Sequence, residues 1–134
     1  MDQEIASNIV DAKITICRVY EPPAHKEGIW ILVDRLWPRG IKKDTLAIDL
    51  WLKEIAPSSS LRKWFNHEPD KWPGFEQRYM EELQDKQKLI ECILEKARHS
   101  PITLFYAAKD TYHNHALVLQ AVLKNWPKLP KINE

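Results

Sequence analysis

The sequence predicts a single α/β domain, residues 1–134, built on a small, mostly parallel or mixed sheet of about four strands flanked by helices. Three observations lead there. Apolar, β-branched runs recur at ITICRVY (14–20), IWILVDR (29–35) and PITLFYAA (101–108), and such runs form strands. After residue 57 strand and helix patterns alternate, the order of a layered fold with parallel neighbours. At 134 residues, 44% hydrophobic and 29% charged, the chain has the length of one domain and a globular composition.

Taken in order, residues 1–12 read as a loose arm or a short helical turn. The first strand, 14–20, ends at EPPAHKEG, where paired prolines and Gly28 continue neither regular structure. That connector is shorter than a parallel crossover usually needs, so the first strand is expected to run antiparallel to the second or to lie apart from it. Five successive apolar residues open IWILVDR, which predicts a central strand with helices above and below. Residues 41–57 fit both periods; the reading adopted is a helical turn near Lys42–Leu46 and a strand near Leu50–Ile55, stopped by Pro57. A serine at 58, 59 or 60 caps the next helix. Trp72, Phe75, Tyr79 and Leu83 predict a helix over 69–83, and Leu89, Ile90, Ile93, Leu94 and Ala97 another over 86–98. HNHALVLQAVLKN is apolar nearly all round, so it forms a buried helix that stops before Trp126 and Pro127.

Charge excludes some classes of function. The net charge is +1, without a long run of one sign, which argues against a nucleic-acid binder with a broad basic face. Residues 34–63 do carry seven Lys or Arg against four Asp or Glu, and 68–85 carry two against six. Cys17 and Cys92 belong to no CxxC motif, so reduced thiols are expected rather than a disulfide or zinc framework. The segment MDQEIASNIVDA has acids where an export signal has its basic end, and no run reaches membrane-spanning length. A cytoplasmic protein without membrane attachment is expected; the sequence does not give its oligomeric state.

In open α/β sheets, ligands bind beyond the carboxyl ends of the strands. Three polar segments would share that edge here. One is VDRLWPRG, which offers Asp34, Arg35, Trp37 and Arg39 on a base stiffened by Pro38 and turned by Gly40. The second begins with Ser58 at a helix N-terminus, and the third holds Lys109, Asp110, His113, Asn114 and His115. Arginine suits a phosphate or carboxylate because its planar fork makes two parallel hydrogen bonds. Simpler roles stand beside these: an ion pair for Asp34, packing for Trp37, and helix caps for Ser58, Asp110 and Asn114. His113 and His115 are two apart, which on a helix turns them to different faces, so no metal site is predicted. His25, His67 and His99 carry no signal. Three glycines in the chain cannot form a phosphate loop, and no cofactor is predicted.

The stretches VDRLWPRG, LWLKEIAPSSSLRKWF and YAAKDTYHNHA, in this order, resemble the YeaO-like branch of the domain-of-unknown-function 488 family from about Val19 to Leu123. The resemblance implies a compact α/β protein of the bacterial cytoplasm and brings no reaction with it. Its recurring positions fall here on Asp34, Arg35, Trp37, Pro38, Arg39, Gly40, Pro57, Ser58, Asp110, Asn114, His115 and Ala116.

Three functions compete. An enzyme acting on a small anionic metabolite would hold the anion with Arg39 and Lys109, with Asp34 as base or orienting group and His115 or His113 as proton carrier. A ligand-sensing domain would use the same cations without chemistry, and ranks close behind. A nucleic-acid partner on the basic 35–63 segment ranks last.

Overall fold

The computed structural model describes residues 13–130. The expected arm at 1–12 lies outside the described residues. Four strands form one sheet: β1 (Ile14–Arg18), β2 (Ile29–Leu32), β3 (Leu50–Trp51) and β4 (Ile102–Tyr106). Their spatial order is β1-β4-β2-β3, and every pairing is parallel. The antiparallel alternative for β1 is thereby excluded, and the other one holds. β1 lies apart from β2, with β4 paired to both through Ile14↔Ile102 and Ile29↔Ile102. A helix-free connector suffices because ten residues can reach about 33 Å, whereas returning along one strand and passing over another needs only ~20 Å.

β4 is the axis of the sheet, and all five of its residues are buried. Side chains alternate across it. Ile14, Ile31, Val33, Ile102, Leu104 and Tyr106 join a core shared with the helices, whereas Val19, Trp30, Leu32 and Phe105 pack on the opposite face. The helices all stand on the first face. On the second, where a helix was expected above β2, the loop 36–49 supplies Trp37, Ile41, Leu46 and Ile48 instead. That loop is fastened by Asp49, whose carboxylate accepts from the Trp30 backbone N–H at 2.8 Å and from Lys26 Nζ at 2.7 Å. β3 is shorter than expected because its partner ends. Leu52 N–H takes the Leu32 carbonyl at 2.9 Å, the next amide of β2 turns to β4 through Val33 N–H to Phe105 O, and Lys53–Ile55 close into a 3-10 turn. The expected turn near Lys42 forms, with Thr45 N–H on the Lys42 carbonyl.

Among the described residues four α-helices follow: α1 (Ser59–Phe65), α2 (Trp72–Gln84), α3 (Gln87–Ala97) and α4 (His115–Asn125). Ser58 caps α1, its Oγ accepting from Leu61 N–H at 3.1 Å while donating to Glu82 Oε2 at 2.6 Å. Tyr79 ties α2 beneath the sheet edge, because its buried hydroxyl donates to the Ile55 carbonyl at 2.7 Å. Burial raises that phenol well above its ordinary pKa, so it stays a donor. α4 buries Ala116, Val118, Leu119, Val122 and Leu123. Gln120 Nε2 pins it to the Ile14 carbonyl at 2.7 Å. Among the described residues no helix is long and apolar enough to cross a membrane.

Candidate ligand-binding site

β2 and β4 run parallel, so their carboxyl ends open on the same side, next to the start of α4. There lies a cavity of about 710 Å³. Asp34, Arg35, Trp37 and Arg39 reach it from the segment after β2, and His113, Asn114 and His115 from the one before α4. Seven of the ten sequence-selected residues therefore line one cavity. Ser58, Lys109 and Asp110 do not line it. Ser58 serves as the α1 cap, Lys109 is exposed, and Asp110 stands one layer behind His113. A smaller cavity of about 400 Å³, walled by Glu81, Glu82 and Asp85, contains none of the ten.

Asp34 sits at the floor, where it bolts two strand ends together. Its Oδ2 accepts from the Ala107 backbone N–H at 3.0 Å, beyond the last residue of β4. Its Oδ1 lies 3.1 Å from His115 Nε2, which also stands 3.0 Å from the Val33 carbonyl. Neither oxygen can donate, so Nε2 carries the proton. That N–H is aligned with the carbonyl; the carboxylate gains proximity but no aligned hydrogen bond, and Oδ1 is buried without another partner among the described residues. The side chains of Asp34 and His115 are 17% and 14% exposed, enough to enclose the pair and leave it an opening to the cavity.

The segment before α4 is shaped by its own side chains. Asp110 Oδ1 accepts from the N–H groups of Tyr112 and His113 at 2.8 and 3.0 Å, and its Oδ2 lies 2.8 Å from His113 Nδ1. Asn114 caps α4 through Oδ1 to Leu117 N–H, and its Nδ2 donates to the Asp110 carbonyl. Trp72 meets the His113 ring edge-on at 5.4 Å. Glu76 also faces His113; burial raises its carboxyl, and the imidazole acts against that rise.

The Tyr112 N–H, followed by the His113 ring and N–H, holds the Asp110 carboxyl below the ordinary aspartate range. A depressed carboxyl supports the folded state above its unfolded pKa and loses that support as pH falls through the folded one. The Asp110 turn should accordingly survive acidification through the ordinary aspartate range and open only below it. Carbon-detected NMR of the Asp110 carboxyl checks this; titration at or above the usual aspartate value contradicts it.

Arg35 is a strut. Its Nη2 donates to the carbonyls of Ala56 and Pro57 at 3.3 and 3.5 Å, which draws the segment after β3 against the site. Trp37 donates through Nε1 to the Ile41 carbonyl at 2.6 Å and packs edge-on against Trp51. Its role in folding the loop is thus visible beside its place on the cavity wall.

The structure also adds residues that the sequence reading did not select for the site, Ser59 among them having been offered only as a possible helix cap. Ser59, Arg62, Lys63 and Asn66 line the cavity from α1. Their spacing of three, four and seven puts one polar face of the helix toward the cavity, and this period was readable in SSSLRKWFN. His67 and Tyr20 complete the wall. Asn66 and His67 adopt left-handed φ values of 49° and 55°, which ends α1 and turns the chain past the mouth. Arg39, Arg62 and Lys63 have neither an ion pair nor a side-chain hydrogen bond among the described residues, and Asp34 is the one acid on the wall. Cations thus exceed acids. Among the described residues no three His, Cys, Asp or Glu side chains are grouped to hold a metal ion.

Comparison with known proteins places this geometry in a lineage. The family described as "Inactive DUF488-N3 subclade" matches residues 13–129. The Escherichia coli K12 protein printed as "Uncharacterized protein YeaO" is 47% identical over 108 residues, 81% of this chain and 94% of its own length. "Uncharacterized protein Rv3073c" of Mycobacterium tuberculosis H37Rv is 37% identical over 113 residues, 84% of this chain and 95% of its own. "Uncharacterized protein Mb3100c" of Mycobacterium bovis matches to the same extent. No solved structure matches the chain. With the family match running from the start of β1 to beyond α4, the chain belongs to the DUF488 family, in its YeaO-like branch.

Proposed function

We propose that the cavity holds a small anionic metabolite, carrying a phosphate or carboxylate, and that the domain binds this ligand without transforming it. The observation that carries the reading is the set of cations, Arg39, Arg62 and Lys63, without an ion pair among the described residues, around a cavity in whose described lining Asp34 is the one acid. Cations of one sign at a concave site concentrate anions and orient them. Binding without turnover is favoured by what the polar floor already does: Asp34 and His115 are engaged with Ala107 and Val33. The printed description of the family as inactive points the same way. An enzyme is the second reading, and the observation in its favour is the 3.1 Å approach of Asp34 to His115, an acid beside an imidazole.

One experiment separates them. The purified protein is heated with a panel of phosphorylated and carboxylated metabolites, and each mixture is analysed by mass spectrometry after incubation. At about a hundred times its dissociation constant, a true ligand should add roughly 2.7 kcal/mol of stability and be recovered unchanged. Arg62→Ala with Lys63→Ala should reduce the shift. If no anion shifts the protein, the binding reading fails; if a ligand is consumed and Asp34→Asn stops its consumption, the enzyme reading replaces it.

A further inference from the structure

We infer that the ligand is a mononucleotide, its phosphate at the exposed cations and its base enclosed behind them; this rests on the anion-binding reading above. Size is the first argument. Water takes up roughly 30 Å³ in the liquid, so a phosphate or a short carboxylate would fill only a small part of a 710 Å³ cavity. A body must accompany the charge.

The cavity wall describes that body. Arg39, Arg62 and Lys63 are exposed, whereas Pro38, Pro57, Phe65 and Phe75 on the same wall are buried. The Phe65 and Phe75 rings pack with centroids 4.6 Å apart. Those three cations therefore sit outside, while apolar residues share the buried part of the wall with the polar Asp34–His115 floor, which suits a ligand whose flat body enters first and meets a few polar groups there.

The imidazoles describe its edge. His113 Nδ1 faces the Asp110 carboxylate and His115 Nε2 faces the Val33 carbonyl, so both of these nitrogens carry the proton in the neutral rings. His113 Nε2 and His115 Nδ1 remain as acceptors, without a hydrogen-bond partner among the described residues. They ask for N–H or O–H donors on the ligand body. An alkyl carboxylate has none; a nucleoside has flat apolar faces, donor groups on the base edge and hydroxyls on the sugar.

The test is calorimetric titration of the full chain with the 5′-monophosphates of adenosine, guanosine, cytidine and uridine, with ribose 5-phosphate and with inorganic phosphate. At least one mononucleotide should bind about tenfold more tightly than ribose 5-phosphate, the value expected when a base is stacked and enclosed. The exposed pair Arg62→Ala, Lys63→Ala should weaken mononucleotide and sugar phosphate alike. If ribose 5-phosphate matches every mononucleotide, the enclosed base is wrong and the anion site stands. If none of these anions binds while the wider metabolite panel finds a carboxylate ligand, the mononucleotide is wrong and the anion site stands; if that panel is silent too, both readings fall. Mononucleotide binding that the double variant leaves unchanged places the ligand elsewhere and overturns the inference.

Discussion

Gly28→Ala is expected to destabilise the fold by roughly 3 kcal/mol or more, the sum of a left-handed backbone penalty and a forced backbone shift. Gly28 has φ +71°, and a Cβ there would lie 2.1 Å from the Pro101 carbonyl oxygen and 2.8 Å from its carbon. Neither group can yield cheaply. The same carbonyl accepts the Ile29 N–H at 2.9 Å, the bond that opens the β2–β4 ladder. Gly40→Ala is the matched control, since φ is +78° there but nothing lies within 4 Å of the added carbon. It should lose only the conformational part, about 1 kcal/mol. Urea titration of both variants measures the gap; equal midpoints would show that the approach to Pro101 has no weight.

Asp34→Ala should remove about 2–3 kcal/mol, within the range for losing a hydrogen bond to a charged group, here one made to a half-buried donor. The donor is Ala107 N–H, whose partner is Asp34 Oδ2 at 3.0 Å. His115 loses less, because its Nε2–H keeps the Val33 carbonyl. At about 4 °C per kcal/mol for a domain of this size, the melting point should fall by roughly 8–12 °C. Asp34→Asn should fall less than Asp34→Ala, since an amide oxygen can still serve Ala107 although its NH₂ then confronts the His115 N–H. An alanine variant as stable as the parent would show that the carboxylate does not join the strand ends.

The same carboxylate shows where sequence reading stops. Strands were legible because β-branched runs leave a periodic trace, and Asn114 was legible as a cap because its place before an apolar helix is local. A histidine was offered from the sequence as the group Asp34 would orient, but the carboxylate's bond to the Ala107 N–H was not legible. His115 and Ala107 reach it only after β4 slots between β1 and β2, and strand order depends on pairing energies between distant segments rather than on any local period. The loop 36–49 misled for a related reason. A five-residue apolar run announces burial on both faces but not what provides it, and here Trp37, Ile41, Leu46 and Ile48 do the work of a helix. Arg62 and Lys63 were hidden differently. Their helix was read for its serine cap, and the two cations were counted only within the basic 35–63 segment weighed for a nucleic-acid partner.

The place of β4 has a consequence for biosynthesis. The strand that joins the sheet emerges from the ribosome after every other strand, so β1 leaves the tunnel unpaired and β2 leaves it with one edge bare and only the two residues of β3 on the other. Until Tyr106 is out, the nascent chain offers two sticky ribbons to chaperones or to neighbouring chains. A ribosome stalled before codon 102 should hold a protease-sensitive chain, and one stalled well past the last helix a protected domain.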